Sequence, residues 1–515
     1  MYKIINMYWQ RANLHIVVDQ KIEDNVYFIR NIEEFKITPQ DNEIIINVTN
    51  VKKGEMLNPA TWRVLCEYND LVLDSKLLDK LEDYSRIFRY RKEKYAYLVY
   101  FSVNNDLHLK IETKFMMENK HPERFYRTNE AKTIKGKTLI PLKRLGVFLF
   151  NVYYRLSRVF KVGHNNILFL TDNNDELMWN LKKMHDYLEE QNKNNKYKIK
   201  TYSNDKFSGK KNYFKYIYET YLIATSDVIF VDNYVPLLTH IKLSKKTKLV
   251  QLWHAGVGFK SVGYARFGIK GSPHPYKSCH RAYTDAVVDK DNLVGIYSEV
   301  YGISKDKFKV CGSPRLDGYL SKERIKEKTE ELYKKNELFK TSKVILFSPT
   351  YRGTGSNSAY YDYNLLDLEK IYNFCEENNF IFIVKMHPFI NETISIKEEY
   401  QNRIFDYSEM DVNDLIYVSD IMITDYSSCA YEYSLFDRPL IFYRFDKEIY
   451  EYERPMHTVD AFTSKQYEVK EFEELMKVLN ELKNVKIENR YKNVKDDSNN
   501  ACSEIEKQVL GDMKL

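Results

Sequence analysis

Apolar and polar residues alternate in short segments over the first 120 positions of the chain. These segments are rich in β-branched and aromatic residues, and polar turns such as Asp41-Asn42 separate them. A period of two with such turns is typical of β-strands that bury one face. The pattern predicts strands at residues 14–18, 26–30, 43–48, 95–103 and 108–115. We therefore predict a β-sandwich-like accessory domain over residues 1–130.

From residue 166 onward, continuous apolar runs alternate with longer amphipathic segments. Buried strands are predicted at residues 167–170, 228–231, 248–252, 343–347, 380–384, 421–424 and 440–443, and helices at 176–191, 365–378, 411–418 and 429–436. Strands that alternate with helices predict parallel sheets covered on both faces. We predict two Rossmann-type halves, at residues 164–325 and 326–485, and a tail over residues 486–515. Two such halves in tandem favour ligand binding in the cleft between them.

Residues 132–162 combine a helical apolar period with an excess of positive charge. The segment contains eight Lys and Arg residues and no Asp or Glu. After Pro141, apolar residues recur every three or four positions, which is the spacing of one helix face. They are Leu142, Leu145, Leu149, Val152, Leu156 and Val159. A basic amphipathic helix is typical of proteins that lie on an anionic membrane surface.

We predict such a membrane-associating helix over residues 131–163. The residues expected to contact the membrane are Lys143, Arg144, Arg155, Arg158 and Lys161. Each cation near an anionic surface contributes about 1 kcal/mol. The alternative is an ordinary helix that packs between domains and has a solvated basic side.

Composition narrows the class of protein further. The chain has 515 residues, of which 43% are hydrophobic, so global disorder is excluded. The net charge of +6 is too small to indicate a nucleic-acid partner. The six Cys have no metal-ligand spacing and predict free thiols. The first 20 residues have no signal-peptide pattern, and no apolar run reaches the length of a membrane span, so we expect a cytoplasmic protein.

Two histidines follow predicted strands, at the edge where open α/β sheets bind ligands. His254 stands close to Gly256, which allows the backbone to approach a ligand, and its imidazole can take a proton near neutral pH. A histidine that caps a strand end for structural reasons is the alternative. His387 follows the strand at 380–384 together with Lys385, and the two side chains suit a pyrophosphate.

Hydroxyl and charged residues follow two further strands. Thr350 and Arg352 come after the strand at 343–347 and offer a hydroxyl and a guanidinium to phosphate oxygens. Ser427 and Ser428 come after the strand at 421–424 and precede a predicted helix, whose unpaired amides and dipole favour an anion. Ordinary N-capping by serine is the alternative for this last motif.

Two carboxylates accompany these serines. Asp425 is expected to position the loop that carries them. Glu432 lies on the first turns of the helix and would repel a phosphate, so we expect it to accept hydrogen bonds from polyol or sugar hydroxyls. Together the four strand-end motifs predict a nucleotide-diphosphate site that faces a histidine.

The chain has no P-loop, no GxGxxG motif and no carboxylate cluster suited to Mg²⁺. We therefore predict neither a metal nor a cofactor. Arg, Lys and His side chains and the helix dipole are expected to neutralise the charge of the diphosphate.

Five short motifs together resemble the CDP-glycerol glycerophosphotransferase family, which includes teichoic acid primases and polymerases. The motifs are WHAG at 253–256, GSPRLD at 312–317, SPTYR at 348–352, KMHP at 385–388 and DYSS at 425–428. The resemblance extends over residues 166–480 and implies an α/β fold with a GT-B-like pair of Rossmann-type domains. The nucleotide would bind the C-terminal half and the acceptor the N-terminal half, with the N-terminal β-rich accessory domain added to this core.

The resemblance also implies an activity. An alditol phosphate, glycerol phosphate in the first place, would pass from a CDP-alditol to the hydroxyl of a lipid-linked, undecaprenyl-type acceptor, and CMP would leave. His254 would act as the general base, and His387 would hydrogen-bond the pyrophosphate. The enzyme would work in bacterial teichoic acid or cell-wall polymer synthesis as a peripheral protein on the cytoplasmic face of the plasma membrane.

Two residues depart from the family pattern. Ala255 stands between His254 and Gly256, and Glu432 stands where the family often has Asp. The alternatives are a CDP-ribitol or capsule-polymer transferase of the same family, a GT-B glycosyltransferase that uses a nucleotide sugar, and a membrane adaptor without activity. Leu440 follows Glu432 eight positions later, so the E-x7-E pattern of retaining glycosyltransferases is absent. An adaptor would leave the four strand-end motifs unexplained.

Overall fold

The computed structural model describes most of the chain. The described residues are 2–30, 33–52, 54–90, 95–115, 134–172, 175–203, 213–254, 260–269, 272–276, 278–353, 358–457, 465–487, 490–491 and 500–511. They form two units. The first comprises Met1–His254, Ser261–Cys311 and Cys502–Leu515, and the second comprises Ala255–Lys260 and Gly312–Ala501.

The N-terminal part of the first unit is β-rich. Its strands are β1 (Lys3–Gln10), β2 (Asn13–Val18), β3 (Val26–Arg30), β4 (Glu33–Ile37), β5 (Glu43–Asn47), β6 (Ala60–Cys66), β7 (Asn69–Asp70), β8 (Val72–Leu73), β9 (Arg86–Tyr90), β10 (Tyr95–Val103) and β11 (Leu109–Phe115), with a short helix α1 (Leu81–Tyr84). One sheet has the order β5-β2-β1-β8, and the other has the order β4-β3-β6-β11-β10-β9, with β7 beside β6. Both sheets contribute to one buried core, for example through Ile16 and Trp62.

The rest of the first unit is an α/β layer. Its elements are α2 (Ile134–Ser157), β12 (Asn166–Thr171), α3 (Trp179–Gln191), β13 (Lys198–Ser203), α4 (Tyr213–Thr225), β14 (Val228–Val231), β15 (Lys248–Gln251), β16 (Asp285–Val288), α5 (Leu293–Tyr301) and β17 (Phe308–Val310). The sheet is parallel and has the order β13-β12-β14-β15-β16-β17. The chain reverses its direction across the sheet between β12 and β14, so the topological switch point lies there.

A buried ion pair fastens the β-rich part to this layer. The Nε and Nη2 of Arg11 donate to the two carboxylate oxygens of Glu299 on α5, at 2.8 and 2.9 Å. Asn13 Nδ2 adds a third hydrogen bond to Glu299, at 3.1 Å. Both charged side chains are more than nine-tenths buried, so each needs the other as its counter-charge.

The second unit is another α/β layer. Its elements are α6 (Lys322–Lys335), α7 (Leu338–Thr341), β18 (Lys343–Phe347), α8 (Leu368–Asn378), β19 (Phe380–Val384), β20 (Ile404–Asp406), α9 (Val412–Val418), β21 (Ile421–Thr424), α10 (Cys429–Ser434), β22 (Leu440–Tyr443), α11 (Lys447–Glu453), β23 (Gln466–Val469) and α12 (Phe472–Leu482). The parallel sheet has the order β20-β19-β18-β21-β22-β23, so its switch point lies between β18 and β21.

The C-terminal segment returns to the first unit. Helix α13 (Ala501–Ile505) and a π-helical turn (Glu506–Leu510) follow the second unit along the chain. Cys502, Ile505, Val509 and Leu510 join the core beneath β12 and β14. The tail predicted over residues 486–515 therefore contributes buried apolar side chains to a unit that begins hundreds of residues earlier.

The structure bears on several of the sequence predictions. Each of the seven strands predicted in the α/β region is present. All six Cys are free and buried, as predicted. The domain boundaries proposed from the sequence stay predictions. Among the described residues, no helix has both the length and the apolarity needed to cross a membrane.

Candidate active site

His254 follows β15 in the first unit, and a main-chain oxygen fixes its protonation. Its Nδ1 lies 3.0 Å from the carbonyl oxygen of Asp232, at the end of β14. Because a carbonyl oxygen only accepts hydrogen bonds, this contact places the ring proton on Nδ1. The lone pair is then on Nε2, which is the state that a general base requires.

Strained backbone flanks the His254 ring. Trp253 has φ of 53°, and Trp179 at the start of α3 has φ of 48°. A bulky residue in the left-handed region costs on the order of 1–3 kcal/mol. The ring centroids of Trp253 and Trp179 lie 4.4 and 6.0 Å from that of His254. The strain therefore sits on the two aromatic residues that contact the candidate base.

An amide side chain secures this arrangement. Asn180 Nδ2 donates to the carbonyl oxygens of Leu252 and Trp253 at 3.1 and 2.8 Å. These two hydrogen bonds hold the main chain immediately before His254. The residues that orient the histidine are called the base cluster below: Trp179, Asn180, Asp232, Trp253 and His254.

Asp232 brings a buried carboxyl group to the base cluster. Its Oδ1 accepts a hydrogen bond of 2.9 Å from Asn233 Nδ2, and its Oδ2 has no hydrogen-bond partner within the described part of the chain. Burial raises the pKa of Asp232 to about 7. The sequence pattern did not single out this residue, although an acid directly after a buried strand is the signal that marks it.

Arg352, predicted to contact phosphate, is engaged by protein groups in the second unit. Its Nε and Nη2 donate to the carboxylate of Asp446 at 2.7 and 3.0 Å. Its Nη1 donates to Asp425 Oδ2 at 2.9 Å and to the carbonyl oxygen of Thr350 at 2.7 Å. Burial disfavours the charge, but the two carboxylates raise the pKa of Arg352 above its ordinary value. Arg352 thus ties three strand-end segments together.

Asp425 joins the loops after β18 and β21. Its Oδ1 accepts hydrogen bonds from the main-chain N–H groups of Thr350, at 2.7 Å, and of Tyr426. Its Oδ2 accepts from Arg352. The side chain is 1% exposed, so this carboxylate serves the protein rather than a ligand. That geometry agrees with the expectation that Asp425 positions the serine loop.

His387 follows β19 as a neutral hydrogen-bond donor. Its Nδ1 accepts from the main-chain N–H of Phe389 at 3.1 Å, which places the ring proton on Nε2. Burial, together with the charges of Lys260 and Lys385, lowers the pKa of His387 to about 4. The ring packs against Tyr351, with centroids 4.7 Å apart. At neutral pH the residue offers an N–H rather than a positive charge.

Lys385 turns toward main-chain oxygens. Its Nζ donates to the carbonyl oxygens of Met386 and Ser408 at 2.9 and 2.7 Å. Burial lowers its pKa below the ordinary value. The ammonium group thus holds the turn that presents His387, and the pyrophosphate contact expected from the sequence stays a prediction.

Ser427 and Ser428 precede α10, which has six residues rather than the eight predicted. The hydroxyl of Ser427 accepts a hydrogen bond of 3.0 Å from Cys429 Sγ. Ser428 is exposed, and its side chain makes no capping hydrogen bond to the helix. The alternative of ordinary N-capping by the serine side chain therefore does not describe this helix start.

Glu432 is paired with a cation inside the second unit. Its carboxylate forms an ion pair with Arg315 of the GSPRLD motif, and the Glu432 side chain is 3% exposed. The sequence analysis assigned Glu432 to ligand hydroxyls and gave Arg315 no role. The structure joins the two residues, so Glu432 orients the guanidinium of Arg315.

Lys260 is a residue of this site that the sequence analysis missed. Its Nζ donates to Thr350 Oγ1 at 3.4 Å, and its main chain forms an isolated bridge with that of Met456. No motif rule marks a lysine six positions after a histidine. Lys260 and the neighbouring residues that follow strands of the second unit are called the anion cluster below. The anion cluster comprises Lys260, Thr350, Arg352, His387 and Asp425.

Some predicted residues lie outside the described part of the chain. Gly256 is one of them, as are the side chains of Lys143 and Arg144. Among the described residues, no group of three or more His, Cys, Asp or Glu side chains is arranged to hold a metal ion.

The predicted membrane helix shows an exposed apolar face. On and just after α2, Phe148, Val159 and Phe160 are 62%, 79% and 66% exposed. Arg155 is exposed, whereas Arg158 donates to Thr247 Oγ1 at 3.2 Å and Lys161 forms an ion pair with Asp227. Over residues 145–161, the part of this segment whose side chains are described, the exposed surface is mostly apolar and Arg158 and Lys161 are engaged by protein groups.

The sequence matches a known protein family over most of the α/β region. A family profile described as CDP-Glycerol:Poly(glycerophosphate) glycerophosphotransferase matches residues 152–503. A teichoic acid poly(ribitol-phosphate) polymerase of Bacillus spizizenii is 33% identical over 60% of this chain and 50% of its own length. The ribitol-phosphate polymerase TarK of Staphylococcus aureus is 34% identical over 59% of this chain and 60% of its own length. The chain thus aligns with little more than half of these two relatives.

A further relative aligns over more of the chain, and solved structures share the fold. The ribitol-phosphate polymerase TarL of S. aureus is 27% identical over 87% of each chain. A structure of the wall teichoic acid polymerase TagF superposes with a TM-score of 0.50 at 18% identity, and covers 75% of this chain and 96% of that one. A structure of a TagF variant soaked with CDPG gives a TM-score of 0.51 at the same identity. At this identity the likeness shows the fold alone.

Proposed function

Because the chain belongs to the CDP-glycerol:poly(glycerophosphate) glycerophosphotransferase family, we propose that it transfers an alditol phosphate from a CDP-alditol to a hydroxyl group of a lipid-linked acceptor. CMP is the second product, and the reaction serves teichoic acid or related cell-wall polymer synthesis. The observation that carries this proposal is the pair of histidines with opposite tautomers: His254 has its lone pair on Nε2, and His387 has its proton there.

His254 is the general base of this reaction. Its Nε2 takes the proton of the acceptor hydroxyl as the hydroxyl oxygen attacks the distal phosphorus of the CDP-alditol. The bond between that phosphorus and the bridging oxygen breaks, and CMP leaves with the electron pair. A positioned base contributes about 10²- to 10⁴-fold to such a rate. The base cluster supports this role because it fixes the tautomer and the ring position.

His387 donates its Nε2–H to an oxygen of the diphosphate. A neutral donor of this kind stabilises charge that develops on the leaving phosphate without a proton transfer. The hydroxyl of Ser428, exposed at the start of α10, and that of Ser427 are further donors for the same group. Gly256, Thr350 and Lys385 complete the proposed binding residues, with Arg352 and Asp425 as the scaffold beneath them.

Ribitol phosphate is the first candidate for the transferred group. The sequence motifs favoured glycerol phosphate, but three relatives with similarity over most of the α/β region are named ribitol-phosphate polymerases. Other relatives are glycerol-phosphate primases at 28% and 29% identity. Both CDP-ribitol and CDP-glycerol therefore belong in the test, together with a capsule-type donor.

We also propose that the apolar face of α2 rests on the anionic cytoplasmic face of the membrane that carries the acceptor. Phe148 and Phe160 are exposed on this segment, and Phe214 of the neighbouring α4 is 81% exposed. Exposed aromatic and aliphatic side chains partition into the headgroup boundary. The variant F148S/F160S should lose most binding to vesicles of anionic lipid, whereas I87S in the β-rich part, which also removes an exposed apolar side chain, should bind like the wild type.

The experiment that tests the proposed activity offers several donors side by side. Release of CMP or UDP is measured with CDP-ribitol, CDP-glycerol, a capsule-type donor and a UDP-sugar, each with and without a lipid-linked acceptor. We expect acceptor-dependent CMP release with one of the CDP-alditols and no UDP release. Release of UDP from the sugar donor, with no CMP release, would instead support a glycosyltransferase.

A further inference from the structure

Lys260 is the charged residue of the anion cluster that forms no ion pair with the residues described in the structure. Its Nζ has one hydrogen bond, of 3.4 Å, to Thr350 Oγ1. No ion pair within the described part of the chain includes Lys260, whereas Lys328, Lys370, Lys447 and Lys470 of the same unit each have a carboxylate within 4 Å. Lys260 is half-buried, so water can solvate its ammonium group only in part.

The two carboxylates that bind Arg352 are already occupied. Both oxygens of Asp425 accept hydrogen bonds, one from the main chain of Thr350 and Tyr426 and the other from Arg352. Asp446 accepts two hydrogen bonds from Arg352. Asp425 and Asp446 therefore compensate the guanidinium of Arg352, and neither forms an ion pair with Lys260.

The other basic groups around Lys260 are bound to protein atoms or neutral. Lys385 donates to two carbonyl oxygens, and His387 is neutral at pH 7 because burial lowers its pKa to about 4. Arg454 donates to the carbonyl oxygen of Gly353 at 3.0 Å and lies over the Tyr351 ring. Lys260 is thus the cation of the anion cluster with donors to spare for a ligand.

Burial has a measurable consequence for this ammonium group. Burial, helped by Arg454 and Arg352 and opposed by Asp425, lowers the pKa of Lys260 to about 8. The charged form is held in an environment that disfavours it. An anion bound next to Nζ removes that penalty, and the pKa then rises again.

We propose that Lys260 donates to the diphosphate of the nucleotide donor and stabilises the negative charge that develops on the departing CMP phosphate. This assignment rests on the proposed function, because it needs a diphosphate donor. It makes Lys260 a catalytic residue that the segment after His254 supplies to the second unit. An ammonium group so placed contributes to donor affinity and to the rate of phosphoryl transfer.

The variant K260M tests this role, with K370M as the matched control because Lys370 is exposed and paired with Glu473. Affinity is measured by calorimetry for the CDP-alditol that the wild type uses and, by competition, for cytidine. Loss of a charged hydrogen bond should weaken CDP-alditol binding by about 10- to 100-fold and leave cytidine binding unchanged. K370M should behave like the wild type in both measurements.

The pH dependence separates a direct role from a structural one. The groups that face Lys260 are Asp425, Arg352, Arg454, Cys429 and His387. The diphosphate diester keeps its charge over pH 6–10, and His387 is neutral there. Donor affinity of the wild type should therefore fall as the pH rises through about 8, the pKa of Lys260. In K260R, whose guanidinium stays protonated, donor affinity should persist above that pH.

The outcomes are distinct. If the wild type neither binds a CDP-alditol nor releases CMP, the proposed function fails. If the wild type does both and K260M binds the CDP-alditol as tightly, the role of Lys260 is overturned. Equal weakening of cytidine and CDP-alditol binding in K260M, or an unchanged pH profile in K260R, would also overturn it, because either result indicates a structural effect.

Discussion

The base cluster and the anion cluster occupy corresponding places in two similar parallel sheets but are held together by different means. Each lies at the carboxyl ends of strands beside a topological switch point. The base cluster is built from a carbonyl oxygen, an amide side chain and two tryptophans with left-handed backbone. The anion cluster is built from an arginine shared between two carboxylates.

The difference follows from what each cluster has to do. A general base must keep a lone pair at one nitrogen, and a carbonyl acceptor at the other nitrogen of His254 achieves that. A diphosphate site must hold donors in place before the anion arrives, and charged hydrogen bonds fix them more strongly than neutral ones. The fold thus supplies the location, and local chemistry supplies the function.

Removing the base should have the largest effect. H254A should lower kcat by about 10²- to 10⁴-fold, because the acceptor hydroxyl then has no proton acceptor. Donor affinity should stay within a factor of about two, since His254 belongs to the base cluster and not to the anion cluster. Steady-state CMP release and calorimetry measure the two quantities. Loss of donor binding in H254A would contradict the assignment of proton transfer to the base cluster and of donor binding to the anion cluster.

Removing the guanidinium of Arg352 should have the next largest effect, a loss of folding stability. R352L leaves the buried carboxylates of Asp425 and Asp446 without a counter-charge, which should lower the free energy of unfolding by about 3–5 kcal/mol. Urea denaturation measures this loss. R403L is the control, because Arg403 forms a more exposed pair with Glu376, and it should lose less than about 1 kcal/mol. An equal loss of unfolding free energy in R352L and R403L would contradict this role of Arg352.

A smaller effect is expected from the amide that secures the base cluster. N180A removes two hydrogen bonds to the main chain before His254, so kcat should fall by about tenfold while donor affinity is retained. N378A removes a comparable amide contact on the outer face of α8 and should leave kcat unchanged. A fall in donor affinity without a fall in kcat in N180A would show that Asn180 does not act through His254.

The smallest effect concerns acid stability. His387 has a pKa of about 4 in the folded protein, against about 6.5 in the unfolded chain. The unfolded chain therefore binds more protons between these values, and stability should fall as the pH drops from about 6.5 toward 4. H387Q should show a shallower decline over that window when Tm is followed by circular dichroism. Identical slopes in the two proteins would contradict the buried neutral state of His387.

The sequence predicts the central strands well, because they are continuous apolar runs whose nature does not depend on distant residues. In the α/β region it misses β13, β17, β20 and β23, which lie at sheet edges and carry polar residues on exposed positions. It also misses β16, an interior strand of only four residues. It also misses the return of the C-terminal segment to the first unit, since no local pattern indicates which core a short helix joins.

The candidate residues follow the strands that the sequence predicts, but several of their hydrogen-bond and ion-pair partners have no signal in the sequence. Arg352 meets Asp446 across 94 positions of sequence, and Glu432 meets Arg315 across 117. Such contacts depend on the tertiary fold, so a motif alone assigns the charged group to the ligand. The left-handed backbone of Trp179 and Trp253 carries no sequence signal either, because local propensity disfavours it.

The most direct test is the mass of the product that this chain of 515 residues forms on a lipid-linked acceptor. With the preferred CDP-alditol, each CMP released should add one alditol phosphate unit to the acceptor, and H254A should form this product at least about 100-fold more slowly although it binds the donor. A product that gains an alditol or sugar without phosphate, or CMP release independent of an acceptor, would contradict it.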